Sequence, residues 1–302
     1  MVMATCRSRT SRSSPPHAWA DPNVPLDAAP LPVQPAFAEP LAEYLAPPEW
    51  RSIDFISDLH LAEDTPRGFE AWSAYMHRTP ADAVFILGDL FELWVGDDAR
   101  HRGFEARCSA VLSEASARCA VAFLVGNRDF LVGEDMLGAC GVRAIRDPTV
   151  LKAFGERVLL SHGDAWCIAD TEYQKFRAQV RDPAWQRNFL ALSLEQRRTA
   201  ARQVRAQSEL RSRNQGPSDW VDVDRATALH WMTAAAAPTL IHGHTHRPGT
   251  ETLAPGKVRH VLSDWDLDHS SESRCEVLRW KSDGFTRLSV TDAMVAISDK
   301  HV

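Results

Sequence analysis

Five short apolar segments each end in a cluster of Asp, Asn or His, and this recurrence constrains the chain more than any other feature. Ile53 to Ile56 runs into Ser57-Asp58-Leu59-His60, and Ala83 to Leu87 into Gly88-Asp89. Val121 to Val125 runs into Gly126-Asn127-Arg128-Asp129, and Val158 to Leu160 into Ser161-His162-Gly163-Asp164. Thr239 to Ile241 runs into His242-Gly243-His244-Thr245-His246. Apolar runs this short read as buried strands, and helical patterns such as Phe69 to His77 and Phe104 to Ala117 lie between them. Strands alternating with helices predict an α/β sheet covered on both faces. Ligands of such sheets bind beyond the carboxyl ends of the strands, so the five polar ends are expected to converge on one site.

The residue types name the chemistry. Asp, Asn and His offer oxygen and imidazole donors without a thiolate, a mixture that suits manganese, iron(II), zinc or magnesium. On an extended segment residues i and i+2 point the same way, so Asp58 and His60 can share a cation, as can His244 and His246. Asp89 has two oxygens with which to bridge two ions, which then sit about 3.5–4 Å apart. Each piece taken alone has a plainer reading. Asp58-x-His60 or Gly88-Asp89 could cap a helix, Gly126-Asn127 could be a turn, and His162 could be a hydrogen-bonded core residue. Three histidines in five residues at 242–246, with the other four blocks in this order, favour the metal reading. Asp164, beside His162, could orient a ligand or make a structural hydrogen bond.

The blocks Asp58-Leu-His60, Gly88-Asp89, Gly126-Asn127, His162-Gly163 and Gly243-His244-Thr-His246 resemble the calcineurin-like metallophosphoesterase superfamily. The resemblance implies an α/β/β/α sandwich and two metal ions. Asp58, His60, Asp89 and His246 would hold the first, and Asp89, Asn127, His162 and His244 the second. The ions would activate water and neutralise charge developing on phosphoryl oxygens.

Where many members of that superfamily carry a histidine after the block-three Asn, this chain has Arg128. A guanidinium is no general acid near neutral pH, but its planar fork clamps phosphate oxygens. A leaving group that needs little protonation, such as a phosphate within a diphosphate, fits this change. Ile56 to Leu61, Ile86 to Asp98, Gly126 to Gly133, Ser161 to Arg177 and Leu240 to Pro248 resemble one family closely, the UDP-2,3-diacylglucosamine hydrolases of lipid A synthesis. That resemblance covers residues 52 to 290. It implies two Mn²⁺ ions and attack of water at the α-phosphorus, giving UMP and 2,3-diacylglucosamine 1-phosphate. It also implies catalytic roles for Asn127, Arg128 and His244, and substrate contacts from Asn127, Arg128, Asp170, Ser208 and His244. The family's Asn and Lys shortly after Ser208 are not matched; Arg211 or Arg213 stands nearby.

An inserted helical lid is expected at about 170–235. From Lys175 to Arg213 it holds ten Lys/Arg against three Asp/Glu, on a chain of net charge -6. Its apolar residues, including Trp185, Phe189, Leu190, Leu192, Leu194, Val204 and Leu210, would shelter acyl chains. Its basic face would meet anionic headgroups or the diphosphate, which would make the protein peripheral at a membrane surface; the resemblance implies the cytoplasmic face of the bacterial inner membrane. A solvated cap helix is the plainer alternative. No apolar run approaches the roughly 18 residues of a membrane span. The net charge gives no signal for nucleic acid, and no obligate protein partner is expected. The six cysteines are scattered without a CxxC pair, which fits buried thiols in a reducing compartment.

Ten of the 18 prolines fall between Pro15 and Pro48, so residues 1–48 read as a disordered leader, and 291–302 as a tail. The remaining alternatives are a cyclic-nucleotide phosphodiesterase, a nucleotide pyrophosphatase, or a binding module that has kept the fold without metal. The last should have lost ligands, and all seven are present.

Overall fold

The computed structural model describes residues 41–214, 221–270 and 273–295, with the side chains of 207–214 left aside. In chain order it runs β1 (Ala42–Leu45), β2 (Ser52–Ile56), α1 (Pro66–Arg78), β3 (Ala83–Leu87), α2 (Gly103–Ser116), β4 (Ala120–Leu124), α3 (Glu134–Ala139) and β5 (Arg143–Ala144). Then follow β6 (Thr149–Ala153), β7 (Glu156–Leu160), α4 (Thr171–Val180), α5 (Pro183–Leu190), α6 (Leu194–Asn214) and α7 (Arg225–Ala234). The chain closes with β8 (Thr239–His242), β9 (Gly249–Ala254), β10 (Lys257–Val261), β11 (Glu276–Lys281), β12 (Gly284–Ser289) and α8 (Val290–Ala293).

The α/β/β/α sandwich implied by the resemblance is the fold observed, with two sheets where strand periodicity alone indicated only an α/β sheet covered on both faces. The strands form two six-stranded sheets, β1-β6-β7-β8-β10-β9 and β12-β11-β2-β3-β4-β5. The reason lies in the alternation within each strand. Along β3, Ala83, Phe85 and Leu87 face Leu151, Val158, Leu160 and Ile241 of the other sheet, forming an inner core. Val84 and Ile86 face outward to Trp72 and Met76 of α1 and Val111 and Leu112 of α2. On the far side, Val150, Leu159 and Leu240 meet Trp231 and Met232 of α7. Apolar residues on both faces of both sheets require four layers, and the result is the α/β/β/α sandwich.

β2, β3 and β4 run parallel in one sheet, and β7 and β8 run parallel in the other. All five site-bearing strands therefore deliver their carboxyl ends, three from one layer and two from its partner.

One polar device sits inside the apolar frame. Asp54 of β2 is fully buried and takes a two-pronged contact from Arg279 of β11, both distances 2.7 Å. Tyr75 and Thr79 hydroxyls donate to the same carboxylate at 2.9 and 3.1 Å. Removing one partner of such a pair costs about 3–5 kcal/mol, because the other stays buried and unpaired.

Two boundaries differ from the sequence expectation. β1 lies inside the stretch read as leader: Tyr44 is buried between the sheets and the strand pairs with β6, so ordered chain is present from Ala42. Residues 1–40, and the tail beyond 295, lie outside the described residues. Of the stretch expected to form a lid, α4 to α6 are the inserted helices, whereas α7 belongs to the sandwich, where Trp231 stacks on Trp166 with ring centroids 6.0 Å apart. Among the described residues no helix is long and apolar enough to cross a membrane.

Candidate metal centre

The seven proposed ligands come together at the strand ends. Among the described non-glycine residues, seven have positive φ, and five of these are Asp58, His60, Asp89, His244 and His246. Such backbone costs about 1–3 kcal/mol per residue and persists where surrounding structure enforces it. The enforcement is visible in the first two loops. Asp58 N–H donates to Gly88 O (3.1 Å), His60 N–H to Asp89 O (3.0 Å) and Leu61 N–H to Leu90 O (2.9 Å), so the loops after β2 and β3 run side by side. The buried Asp129 carboxylate clamps the next pair: Oδ1 accepts from Gly126 N–H (2.7 Å) and Oδ2 from Leu90 N–H (2.8 Å). Burial, and then the nearby Asp89 charge, push its pKa up to about 7.

Two glycines are required by crowding. A Cβ on Gly88, whose φ is +90°, would lie 2.7 Å from the Cα of Gly126. One on Gly126 would overlap Asp89 Oδ1. The Gly-Asp and Gly-Asn blocks thus let two loops touch where the side chains must meet.

Two groups of donors result. Asp58, His60 and His246 place one ligand atom each within 4.8 Å of one another, and so do Asp58, Asp89 and His162. Asp58 belongs to both groups, and Asp89, to which the sequence reading gave the shared role, belongs to the second. Asp89 Oδ1 lies 3.6 Å from His162 Nε2 and accepts the Arg128 backbone N–H at 2.8 Å. Asn127 Oδ1 sits 2.9 Å from His162 Nε2 and 2.8 Å from His244 Nδ1. His60 Nε2 and His246 Nε2 are 3.2 Å apart.

This donor set fits metal ions. His162 donates Nδ1–H to Leu87 O (2.9 Å), so in the neutral ring Nε2 carries the lone pair that faces the Asn127 oxygen. Two lone pairs aimed at each other in a buried site call for a cation between them. The same preference shows in the proton: burial lowers the His162 pKa, but Asp89 and Asp58 draw it up to about 9. Burial also raises Asp58, yet the hydrogen bond and charge of His246 hold it well below the usual carboxylate range. His244 is pushed down to about 3 by burial and by His162. His162 is hydrogen-bonded on its rear nitrogen by Leu87 O, the arrangement that orients metal-binding histidines, while carboxylates face the rear nitrogens of His60 (Glu92, 2.8 Å) and His246 (Asp264, 3.7 Å).

The substrate residues divide. Arg128 borders the cluster, half-buried, with Nη1 3.4 Å from Glu92 Oε1. Asp170 is exposed and caps α4, accepting from Tyr173 N–H at 3.0 Å. Ser208 falls on α6, and its side chain lies outside those described. Arg211 and Arg213 share that position.

Sequence reasoning missed the supports. Asp129 and Glu92 stood inside quoted blocks without a role. Asp164, left between two readings, makes structural bonds: its carboxylate accepts from Tyr173 Oη (2.6 Å) and Arg177 Nε (2.7 Å), and its carbonyl from Gln174 Nε2 (2.8 Å). The spacing of Tyr173, Gln174 and Arg177 on one helical face was the available signal.

The matched families bear on this geometry directly. The sequence model described as calcineurin-like phosphoesterase matches residues 51–248. The chain belongs to that family. A UDP-2,3-diacylglucosamine hydrolase of Chromobacterium violaceum is 44% identical over 218 residues, covering 71% of this chain and 90% of that one. One of Aromatoleum aromaticum is 42% identical over 236 residues, covering 76% and 93%. One of Xanthomonas oryzae is 41% identical over 241 residues, covering 76% and 95%. The family match spans the metal-ligand cluster and the helices inserted between β7 and β8 alike.

The lid differs from the basic face expected of it. Arg177 is paired with Asp164, Arg197 with Asp98, Arg198 with Glu105 and Arg205 with Glu92, while Arg181 donates to Gly126 O. Much of the local cationic excess is therefore spent on holding the lid to the sandwich. Part of the apolar face is spent likewise. Phe189 is buried, and Trp185 and Leu192 pack on the core, leaving Leu190 at 42% exposure.

Proposed function

We propose that the protein hydrolyses the diphosphate of UDP-2,3-diacylglucosamine at the α-phosphorus, releasing UMP and 2,3-diacylglucosamine 1-phosphate, with two Mn²⁺ ions. The observation that supports this most is the junction of the buried Asp/His/Asn cluster with Arg128, beneath a docked helical lid, in a chain 41–44% identical to hydrolases of that name. Asp58, His60, Asp89, Asn127, His162, His244 and His246 would hold the ions, which when bound supply Lewis acidity and a nucleophilic water. Oxygen and imidazole donors without thiolate suit manganese, iron(II), zinc or magnesium, and Mn²⁺ is the ion that the family resemblance implies.

The chain's own residues do the rest. Arg128 has its backbone anchored on Asp89 and its guanidinium at the rim, where the fork can take two phosphoryl oxygens. Asn127 and His244 lie together, Oδ1 2.8 Å from Nδ1, and would bind the same phosphoryl group. No proton need be delivered to the leaving group, because 2,3-diacylglucosamine 1-phosphate departs as a phosphate monoester anion. α4 to α6 cover this side, and exposed Leu190 is an apolar contact for an acyl chain.

The deciding experiment supplies purified protein with Mn²⁺ and UDP-2,3-diacylglucosamine and resolves the products. UMP and the lipid monophosphate are expected, with loss of turnover after chelation and recovery on adding Mn²⁺. Hydrolysis of a cyclic nucleotide with the glycolipid left intact would overturn the assignment. An acylated substrate supports a peripheral location at a membrane surface, which in this reading is the cytoplasmic face of the inner membrane. Flotation with acidic vesicles at low salt is expected to carry the protein upward. Protein that stays at the bottom of the gradient would reject that location.

A further inference from the structure

We propose that Glu92 is a positioning residue for this reaction, coupling the metal cluster, the phosphate clamp and the lid through one carboxylate; the proposal rests on the functional reading above. The two oxygens are divided between tasks. Oε2 lies 2.8 Å from His60 Nδ1. Oε1 lies 3.4 Å from Arg128 Nη1 and 3.2 Å from Arg205 Nε of α6.

The carboxylate is fixed from behind. Glu92 N–H donates to Leu61 O at 3.1 Å, and Phe91 bridges Leu61, so the loop after β3 continues along the loop after β2 for three residues past the ligands. Glu92 itself is 9% exposed.

Each contact has a consequence. An ionised carboxylate only accepts, so His60 must present Nδ1–H to it and leave the Nε2 lone pair toward His246 and Asp58. Arg128 and Arg205 are brought to the same oxygen, where two guanidiniums without an anion would repel. Arg205 thereby seats the lid beside the clamp. A diphosphate arriving at Arg128 meets a side chain already aimed, and a lid already placed.

The test compares wild type with Glu92→Ala, Glu92→Gln and Arg205→Ala. Mn²⁺ affinity is read by electron paramagnetic resonance without substrate, kcat and KM at saturating Mn²⁺, and unfolding of the metal-free protein by circular dichroism. Glu92→Ala is expected to weaken Mn²⁺ about 10–100-fold, as for lost orienting partners elsewhere, and to raise KM even when the metal is saturating. Arg205→Ala is expected to raise KM about two- to fivefold, the equivalent of a partly exposed ion pair, with Mn²⁺ affinity unchanged. In the Glu92→Ala background Arg205→Ala should add nothing. Glu92→Gln preserves shape but has one oxygen for two tasks, so it must lose Mn²⁺ affinity or KM while the metal-free protein unfolds as wild type does. Glu92 variants that match wild type in Mn²⁺ affinity and KM, or that change only metal-free unfolding, would overturn the proposal. Wild type that binds Mn²⁺ but leaves the glycolipid intact would refute the functional reading instead, and the Mn²⁺ measurements would still judge Glu92.

Discussion

Asp89→Ala is expected to cut turnover by roughly 10³-fold or more, since charge stabilisation by the ions is worth several kcal/mol and each 1.4 kcal/mol is a factor of ten. The carboxylate faces His162 at 3.6 Å and holds the Arg128 backbone, so its loss strikes both the metal cluster and the clamp. Alanine at φ 52° adds backbone strain of its own, which makes Asp89→Asn the sharper comparison. Asparagine tolerates the left-handed region and still accepts from Arg128, but it brings no negative charge. Both variants should fall alike when kcat is measured at saturating Mn²⁺. Near-wild-type turnover in either would reject the two-metal reading. Asp58→Ala should be at least as damaging, because Asp58 belongs to both donor groups.

Arg128→Ala is expected to lower kcat/KM by about 10²–10³-fold, the usual cost of removing one charge-stabilising donor from a buried reaction site. Arg128→Lys should recover little. An ammonium is a point charge on a flexible stem and cannot reproduce the planar fork. Mn²⁺ affinity is the control, since Arg128 contributes no lone pair to the cluster. Wild-type kcat/KM in Arg128→Ala would remove the clamp from the mechanism.

The site was legible because its ligands follow short apolar runs at fixed offsets, and a strand's direction carries that information to one end of a sheet. The strands found at Ala83–Leu87 and Thr239–His242 match the expected runs almost residue for residue. The division into two sheets was less legible. A run such as Ala83-Val-Phe-Ile-Leu is apolar on both faces whether helices or a second sheet cover it. The supports were hidden for another reason. Glu92 meets Arg205 across 113 positions and Asp54 meets Arg279 across 225, and no local pattern announces a partner so remote. The lid showed the opposite failure. Its charge excess was plain in the sequence, but the acids that take it up, Asp98, Glu105 and Glu92, stand far upstream.

The division of labour between the two sheets has a mechanical side. Asp58, His60, Asp89 and Asn127 follow strands of one layer, whereas His162, His244 and His246 follow strands of the other. An ion held by both sets is a rivet through the sandwich. Binding confined to the folded state adds about 2.7 kcal/mol at a free-ion concentration about a hundred times Kd. The cofactor would then serve as a fastener as well as a reagent, and a cell short of metal would meet a looser protein as well as an idle one.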